Sequence, residues 1–178
     1  MELYVVRHGQ TIVNVMKRVN AHNNIGINRN GRKQAHKAAE ELKNVNIDLV
    51  VCSPLKRTRQ TCEIVNKAKV SIIFDERLIE RDAGFMQFKK DTIIEPNIWY
   101  DITKSKVYKN SEGFGSIVKR AQNLIQELNK KYPTSKIMLV THGDVCKAIY
   151  AYLTGTLDSE KISQYKHENC EIKRYRVK

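Results

Sequence analysis

Two histidines in this chain stand at the ends of apolar runs, and each is followed by glycine. The first run ends in Arg7 and His8 before Gly9. A run far along the chain ends in His142 before Gly143. Imidazole acts as a nucleophile, a proton carrier or a metal ligand near neutral pH. If both runs are strands of one parallel sheet, the two rings meet at the edge where open α/β sheets bind ligands.

Two arginines are expected beside these histidines. Arg7 directly precedes His8, and Arg57 falls in the first turn of a helix that follows another apolar run. Arginine presents a planar fork of N–H donors that matches phosphate oxygens. The positive amino end of the helix after Gly143 adds to this charge. Because buried like charges are costly without an anion between them, Arg7, His8, Arg57 and His142 together predict a phosphate pocket.

The histidines also admit plainer interpretations. A lone histidine is most often a structural or surface residue, and His22, His36 and His167 are interpreted in this way. Metal binding by His8 and His142 is disfavoured, because no third ligand stands at a recognisable spacing and two arginines would repel a cation. We therefore expect neither a metal nor a cofactor.

Apolar runs rich in β-forming residues must position these groups. They predict strands at Leu3–Val6, Asp48–Cys52 and Lys136–Thr141, with further strands at Val70–Phe74 and, as an edge strand, at Glu171–Val177. Runs without polar alternation are typical of parallel strands that are buried on both faces.

Residues at helical spacing fill the intervals between the strands. They predict four helices: Arg29–Lys43 with Asn28 as its cap, a helix from Pro54 to Ala68, Ser116–Tyr132, and a helix from Gly143 that stops at Gly155. Strands that alternate with helices predict a three-layer, doubly wound α/β fold, with a mainly parallel sheet and helices on both faces.

Residues 85–115 break this alternation. The segment mixes aromatic residues such as Trp99 and Tyr100 with several lysines, and it lacks a clear period. A stretch of this length inside a compact domain is usually functional, so we interpret it as a lid or insertion. The alternative is a short helix around Ile93–Ile102.

Composition limits the class of protein. The chain has 178 residues, of which 41% are hydrophobic and 29% charged, as expected for one globular domain over residues 1–178. No apolar run approaches the roughly 20 residues of a membrane-spanning helix. The start also lacks the pattern of a signal peptide, so we expect no membrane partner and a cytosolic location.

The net charge and the cysteines indicate which ligands the chain is expected to bind. The net charge of +13 suits either nucleic acid or small anionic substrates. The cations are scattered in pairs such as Lys17 with Arg18, which favours a small substrate over nucleic acid. Four cysteines lack CxxC spacing, so we expect buried thiols rather than zinc or disulfides. No heptad pattern indicates an oligomer, and the oligomeric state is left open.

Five segments occur in the order found in a known family. They are Leu3–Thr11 with Asn14, Gly31 with Gln34 and Ala35, Ser53–Thr61, Leu78–Glu80 with Gly84, and Val140–Gly143. Together they span nearly the whole chain, and the combination resembles the histidine phosphatase superfamily, the phosphoglycerate-mutase-like proteins.

The resemblance implies roles for individual residues. His8 resembles the nucleophile that becomes a phosphohistidine, and Glu80 matches the proton donor. The residues that match binders of the phosphate oxygens are Arg7, Asn14, Arg57 and His142, the last also being part of the catalytic set. Glu80 has an alternative as a surface ion-pair partner if its segment is helical, and Asp82 is the alternative acid.

Two departures from the family pattern fall near the insertion. Phe85–Phe88 stands where the family has an aromatic-acid-glycine segment, without the acid or the glycine. Ser111–Gly113 stands where Gly-Glu-Ser is common, although Glu112 and Arg120 keep their spacing. These differences bear on the substrate more than on the chemistry.

The function that the sequence predicts is hydrolysis of a small phosphorylated metabolite by a metal-independent phosphomonoesterase. Phosphoglycerate mutase-type phosphoryl transfer is the alternative within the family. An alternative of another class is a non-catalytic module that binds a phospholigand or nucleic acid through its basic surface.

Overall fold

A computed structural model describes residues 1–104 and 106–177, so that Ser105 of the predicted insertion and Lys178 lie outside the described residues. The strands are β1 (Glu2–Arg7), β2 (Leu49–Cys52), β3 (Ile72–Phe74), β4 (Lys136–Thr141) and β5 (Ile172–Arg176). The helices are α1 (Ile12–Val15), α2 (Arg29–Glu41), α3 (Lys56–Val65), α4 (Pro96–Trp99), α5 (Phe114–Lys131), α6 (Gly143–Thr154) and α7 (Ser159–Gln164). Short 3-10 turns lie at Glu76–Leu78, Gly84–Met86 and Asp91–Ile93.

The strands form one sheet in the order β3-β2-β4-β1-β5. β2 and β1 flank β4 in parallel, β3 is parallel to β2, and β5 runs antiparallel to β1 at the edge. This confirms the predicted α/β fold with a mainly parallel sheet, and it confirms the last strand as an edge strand. The carboxyl ends of β2, β4 and β1 therefore lie side by side.

Alternating side chains of the strands build two apolar layers. Leu3 and Val5 of β1 face the layer of α5 and α6, whereas Tyr4 and Val6 face the layer of α2 and α3. The valines and Leu3 are completely buried. Because burying such a side chain contributes about 1.5–3 kcal/mol, both faces of β1 hold it rigidly in the centre of the molecule.

The helix predicted from Pro54 to Ala68 is shorter at both ends, and α3 covers only Lys56–Val65. The residue before α3 is extended, so Pro54 lies outside the helix. At the other end the Asn66 side chain accepts from the Val70 amide at 3.0 Å and donates to its carbonyl at 2.8 Å. These two hydrogen bonds close a turn, and the chain leaves the helical path.

The insertion, residues 85–115, folds over the carboxyl end of the sheet. The short helix considered for Ile93–Ile102 is present as the four residues of α4, and a 3-10 turn at Asp91–Ile93 precedes it. Trp99 is buried in a small cluster with Ala21, Ala83 and Met86. The end of the insertion is anchored to α5, because Arg120 donates to both carboxylate oxygens of Glu112 at 2.9 and 3.1 Å.

Two glycines allow the chain after β1 to pack on the start of α2. A Cβ atom on Gly9 would lie 2.6 Å from the Gly31 carbonyl oxygen, and one on Gly31 would lie 2.3 Å from the Gln10 carbonyl oxygen. Any side chain at either position would force the backbones apart. This contact fixes the backbone position of His8, the residue before Gly9.

Two further expectations concern the chain as a whole. The cysteines are buried free thiols, as predicted. Over the part of the chain that the structure describes, no helix combines the length and the apolar character that crossing a membrane requires.

Candidate active site

The two histidines meet at adjoining strand ends, as the sequence predicted. The His8 amide donates to the Thr141 carbonyl at 2.9 Å, which continues the ladder between β1 and β4. The Ser53 amide does the same on the other side of β4, with the Val140 carbonyl at 3.0 Å. The ring centroids of His8 and His142 are 5.3 Å apart.

A cavity of about 340 Å³ opens beside these strand ends. One wall, which we name the strand-end wall, carries Arg7, His8, Asn14 and Glu80. A second part of the lining, which we name the insertion wall, carries Ile94, Trp99 and Tyr100. The lining thus combines charged groups with apolar and aromatic groups.

His8 is held in one tautomer. Its Nδ1 lies 2.8 Å from the Gly9 carbonyl oxygen, which only accepts, so Nδ1 carries the proton and the lone pair is on Nε2. Burial lowers the pKa of His8 well below its usual range, and the charges of Arg57 and Arg7 lower it further. The ring is therefore neutral at pH 7, a state in which Nε2 can act as a nucleophile.

Arg7 and Asn14 are oriented with donors to spare. Arg7 Nη1 donates to the His167 carbonyl at 2.8 Å, whereas its buried Nε has no partner among the described residues. The Asn14 side-chain oxygen accepts from the Thr11 amide at 3.0 Å, which leaves its NH₂ group to donate elsewhere. Both residues lie on the cavity wall and can offer N–H groups to an anion.

Arg57 and His142 lie behind the cavity wall, completely buried. Arg57 Nε donates to His142 Nδ1 at 3.1 Å, and its two Nη atoms donate to the carbonyls of Asn23 and Ala21. Since Nδ1 accepts, His142 Nε2 carries the proton and donates to Ser53 Oγ at 2.7 Å. These contacts place a fixed positive charge behind His8. Direct contact of Arg57 or His142 with a phosphate stays a prediction.

Glu80 lies almost completely buried on the strand-end wall, 9% exposed. Its carboxyl group accepts from the backbone amides of Gly143 at 3.1 Å, Arg81 at 3.1 Å and Asp144 at 3.3 Å. The amino end of α6, which we expected to face an anionic ligand, therefore faces this carboxyl group. The pKa of Glu80 is raised to about 7. Burial is the main cause, the Asp144 charge also raises the pKa, and the Arg57 charge lowers it.

The other interpretations of this acidic segment do not fit. The surface ion-pair alternative for Glu80 is wrong, because the 3-10 turn ends at Leu78 and the Thr141 hydroxyl holds the Leu78 carbonyl at 2.8 Å. This contact turns the next residues into the cavity. The alternative acid, Asp82, is exposed and does not line the cavity.

Sequence reasoning missed several residues that support the site. Asn169 donates to the His8 carbonyl at 2.8 Å, and the His22 ring lies 2.6 Å from the Glu80 carbonyl oxygen. Arg81 and Asp144 line the cavity as well. His22 and His167 support the site structurally, and His36 is exposed, in agreement with their interpretation. No local pattern marks Asn169, which lies far from His8 along the chain.

A metal centre finds no support in the side-chain positions. Within residues 1–104 and 106–177, no group of three or more His, Cys, Asp or Glu side chains is placed to hold a metal ion.

The fold and the site define an α/β protein with a neutral imidazole, basic groups and a buried carboxyl group at the carboxyl edge of its sheet. The chain belongs to the histidine phosphatase superfamily (branch 1), whose family model matches residues 3–178.

Individual relatives include proteins named as a phosphatase and as mutase-like. The chain is 29% identical over 155 residues to the protein named uncharacterized phosphatase PhoE of Bacillus subtilis, covering 85% of this chain and 76% of that protein. It is 30% identical over 159 residues to phosphoglycerate mutase-like protein 4 of Arabidopsis thaliana, covering 84% and 69%. The solved structure of YhfR from Bacillus stearothermophilus shares the fold, with a TM-score of 0.87 at 24% identity over 99% of this chain and 91% of that one.

Proposed function

We propose that this protein is a phosphomonoesterase that hydrolyses a small phosphorylated metabolite through a phosphohistidine on His8. The observation that carries the proposal is the geometry of His8, whose Nδ1 is tied to the Gly9 carbonyl so that Nε2 holds the lone pair. Arg7 and the buried Glu80 share the same cavity wall. The Bacillus subtilis relative, named as a phosphatase, supports the same class of reaction.

In the first half of the reaction, Nε2 of His8 attacks the phosphorus atom and the ester P–O bond breaks. Arg7 and Asn14 bind the phosphoryl oxygens, and Arg57 adds positive charge from behind the wall. Glu80, protonated because its pKa is near 7, donates its proton to the leaving alkoxide. The products of this half are an alcohol, a phosphohistidine and an ionised Glu80.

In the second half, the ionised Glu80 removes a proton from water as the water oxygen attacks phosphorus. The P–N bond breaks, inorganic phosphate leaves, and both His8 and Glu80 return to their starting protonation states. One carboxyl group serves as acid and then as base, for which a pKa near the working pH is suited.

The test uses p-nitrophenyl phosphate with purified protein. We expect hydrolysis that persists in EDTA, is inhibited by vanadate and is absent from His8→Ala. Loss of activity with the chelator would indicate metal chemistry instead, and hydrolysis by His8→Ala would exclude the phosphohistidine route.

Phosphoglycerate mutase-type transfer is a second candidate because of the Arabidopsis relative named as mutase-like. A mutase must keep water away from the phosphohistidine while the phosphoryl group moves between two positions of the substrate. Isomerisation of 3-phosphoglycerate that depends on a bisphosphate primer would support it. Release of inorganic phosphate without isomerisation would retire it.

The cavity volume of about 340 Å³ suits a metabolite-sized ester. Lys17 and Arg18 also line the cavity, opposite in character to the aromatic insertion wall. We propose that the preferred ester carries a second anionic group or a flat apolar leaving group. A panel of sugar phosphates, nucleotides, glycerate phosphates and phosphopeptides tests this, and equal rates on all members would contradict it.

A further inference from the structure

We propose that Asp144 is a positioning residue that ties Trp99 and Tyr100 of the insertion to the proton donor Glu80. The proposal rests on the function proposed above for its kinetic consequence, but the contacts that define it do not depend on that function. Asp144 is the second residue of α6, directly after the glycine that follows His142.

The Asp144 carboxylate contacts three side chains from two different segments. Its Oδ2 accepts from Trp99 Nε1 at 3.0 Å, and its Oδ1 accepts from the Tyr100 hydroxyl at 3.3 Å. Arg81 Nη1 lies 3.4 Å from Oδ2 in an ion pair. The backbone amide of the same residue donates to Glu80 Oε1 at 3.3 Å. Asp144 therefore contacts the insertion through its side chain and the acid through its backbone.

Arg81 completes the connection from the other side. Its guanidinium carbon lies 3.9 Å from the centre of the Trp99 ring, and its Nη2 donates to the Trp99 carbonyl at 2.7 Å. The side chain is 1% exposed, so its charge needs a buried counter-ion. Asp144 supplies that charge and thereby holds Arg81 over the indole.

The charges around Glu80 show what Asp144 adds electrostatically. The titratable groups around Glu80 are Arg7 from β1, His22, whose ring contacts the Glu80 carbonyl, Arg57 from α3, Arg81 beside it, Tyr100 from the insertion, and Asp144 and Cys146 from α6. Burial raises the pKa of Glu80 most, the Asp144 carboxylate raises it further, and Arg57 and Arg7 lower it. Without the negative charge of Asp144 the pKa of Glu80 falls, and Glu80 ionises at lower pH.

The kinetic experiment compares Asp144→Asn with the unmodified protein on glycerol 2-phosphate, an ester whose alkoxide leaving group needs a proton. We expect the alkaline limb of the kcat/KM profile to move to lower pH by about one unit, with kcat at pH 7 falling more than KM changes. Asp144→Glu, which restores the charge, should return the limb toward its original position. The matched control is Asp82→Asn, since Asp82 is a nearby exposed carboxylate, and it should leave the limb in place.

Trp99 offers a measurement that does not need turnover, because it is the single tryptophan of the chain. In the unmodified protein we expect its fluorescence emission to titrate with a midpoint near the pKa of Glu80, about 7, and Glu80→Gln to abolish that titration. Asp144→Ala should shift the emission, because the indole N–H loses its acceptor. This titration keeps the proposal testable if an Asp144 variant fails to fold.

The two measurements separate the failure of this proposal from failure of the proposed function. An active enzyme whose pH limb is unmoved in folded Asp144→Asn overturns the positioning role, as does Trp99 emission that does not change with pH or with Asp144. The protein could instead hydrolyse no phosphate ester and still show the Trp99 titration and its loss in Glu80→Gln. That result would support the connection between Glu80 and Trp99 and would contradict the proposed phosphatase activity.

Discussion

The two walls of the cavity are held in place by different kinds of contact. On the strand-end wall, His8 and Arg7 bind backbone carbonyls, those of Gly9 and His167. On the insertion wall, Trp99 and Tyr100 are held by the Asp144 side chain, and Trp99 also stacks on Arg81. Backbone partners persist when side chains change, whereas side-chain partners do not.

The strand ends and the insertion also differ in how far they follow the family pattern. The strand-end wall matches the superfamily's segments around His8 and His142, and the insertion departs from them at Phe85–Phe88. A wall built on a ladder of main-chain hydrogen bonds keeps its reacting groups in place. The insertion wall can exchange side chains and so change which ester fits.

The largest loss of activity is expected for the proposed nucleophile on the strand-end wall, His8. We expect His8→Ala to lower kcat/KM for every phosphate ester by about 10³-fold or more, because the proposed reaction transfers the phosphoryl group to Nε2 of His8. Turnover of p-nitrophenyl phosphate and trapping of an acid-labile phosphoprotein check this. His36→Ala, which alters an exposed histidine, is the control and should behave as the unmodified protein.

A smaller effect is expected for the proton donor, and it depends on the ester. Glu80→Gln should lower the rate at which an alkyl phosphate phosphorylates His8 by about 10²–10⁴-fold but spare phosphorylation by p-nitrophenyl phosphate, whose leaving group needs no proton. A single-turnover measurement that traps the phosphohistidine isolates this half of the reaction from the later hydrolysis, in which Glu80 acts as base. In the unmodified protein the alkyl rate should fall as pH rises through about 7, since the protonated acid is then lost. Equal losses on both esters would mean that Glu80 is not the donor.

The same carboxyl group should make stability depend on pH. Burial raises the pKa of Glu80 from an ordinary 4.5 to about 7, so its favourable protonated state is lost from the folded protein as pH rises through 7. Relative to the unmodified protein, Glu80→Gln should therefore gain about 3 kcal/mol of unfolding free energy between pH 4 and pH 8. Urea unfolding at both pH values measures the difference, and a constant difference would argue for a carboxyl group of ordinary pKa.

The smallest effect is expected for a substitution on the insertion wall, and it tests whether that wall selects the ester. Ile94 lines the cavity, and Ile94→Ala should change KM by about tenfold for some esters of the panel and leave kcat for p-nitrophenyl phosphate nearly unchanged. Ile98, in the same insertion but exposed and away from the cavity wall, provides the matched control Ile98→Ala. A uniform loss of kcat across esters would place Ile94 with the chemistry instead.

The parts of the fold that sequence reasoning predicted well are those governed by local pattern. The strand Lys136–Thr141 has the predicted bounds, and Asn28 caps its helix by accepting from the Gly31 amide. The end of α3 was wrong, because the turn that stops it depends on a side-chain contact between Asn66 and Val70. The surroundings of Glu80 could not be predicted from the sequence, since its partners come from α6 and α3, far away along the chain.

By itself, the order of residues along this chain determined which chemical groups stand at strand ends, because apolar runs and the glycines that follow them are local signals. It thereby specified the sheet, the two imidazoles and the membership of the superfamily. Only the tertiary structure decided what each group can do. Burial and contacts between distant segments set the tautomer of His8, engaged the donors of Arg57 and placed Asp144 between the acid and the insertion. Protonation and donor availability depend on neighbours in space, which spacing along the chain does not encode.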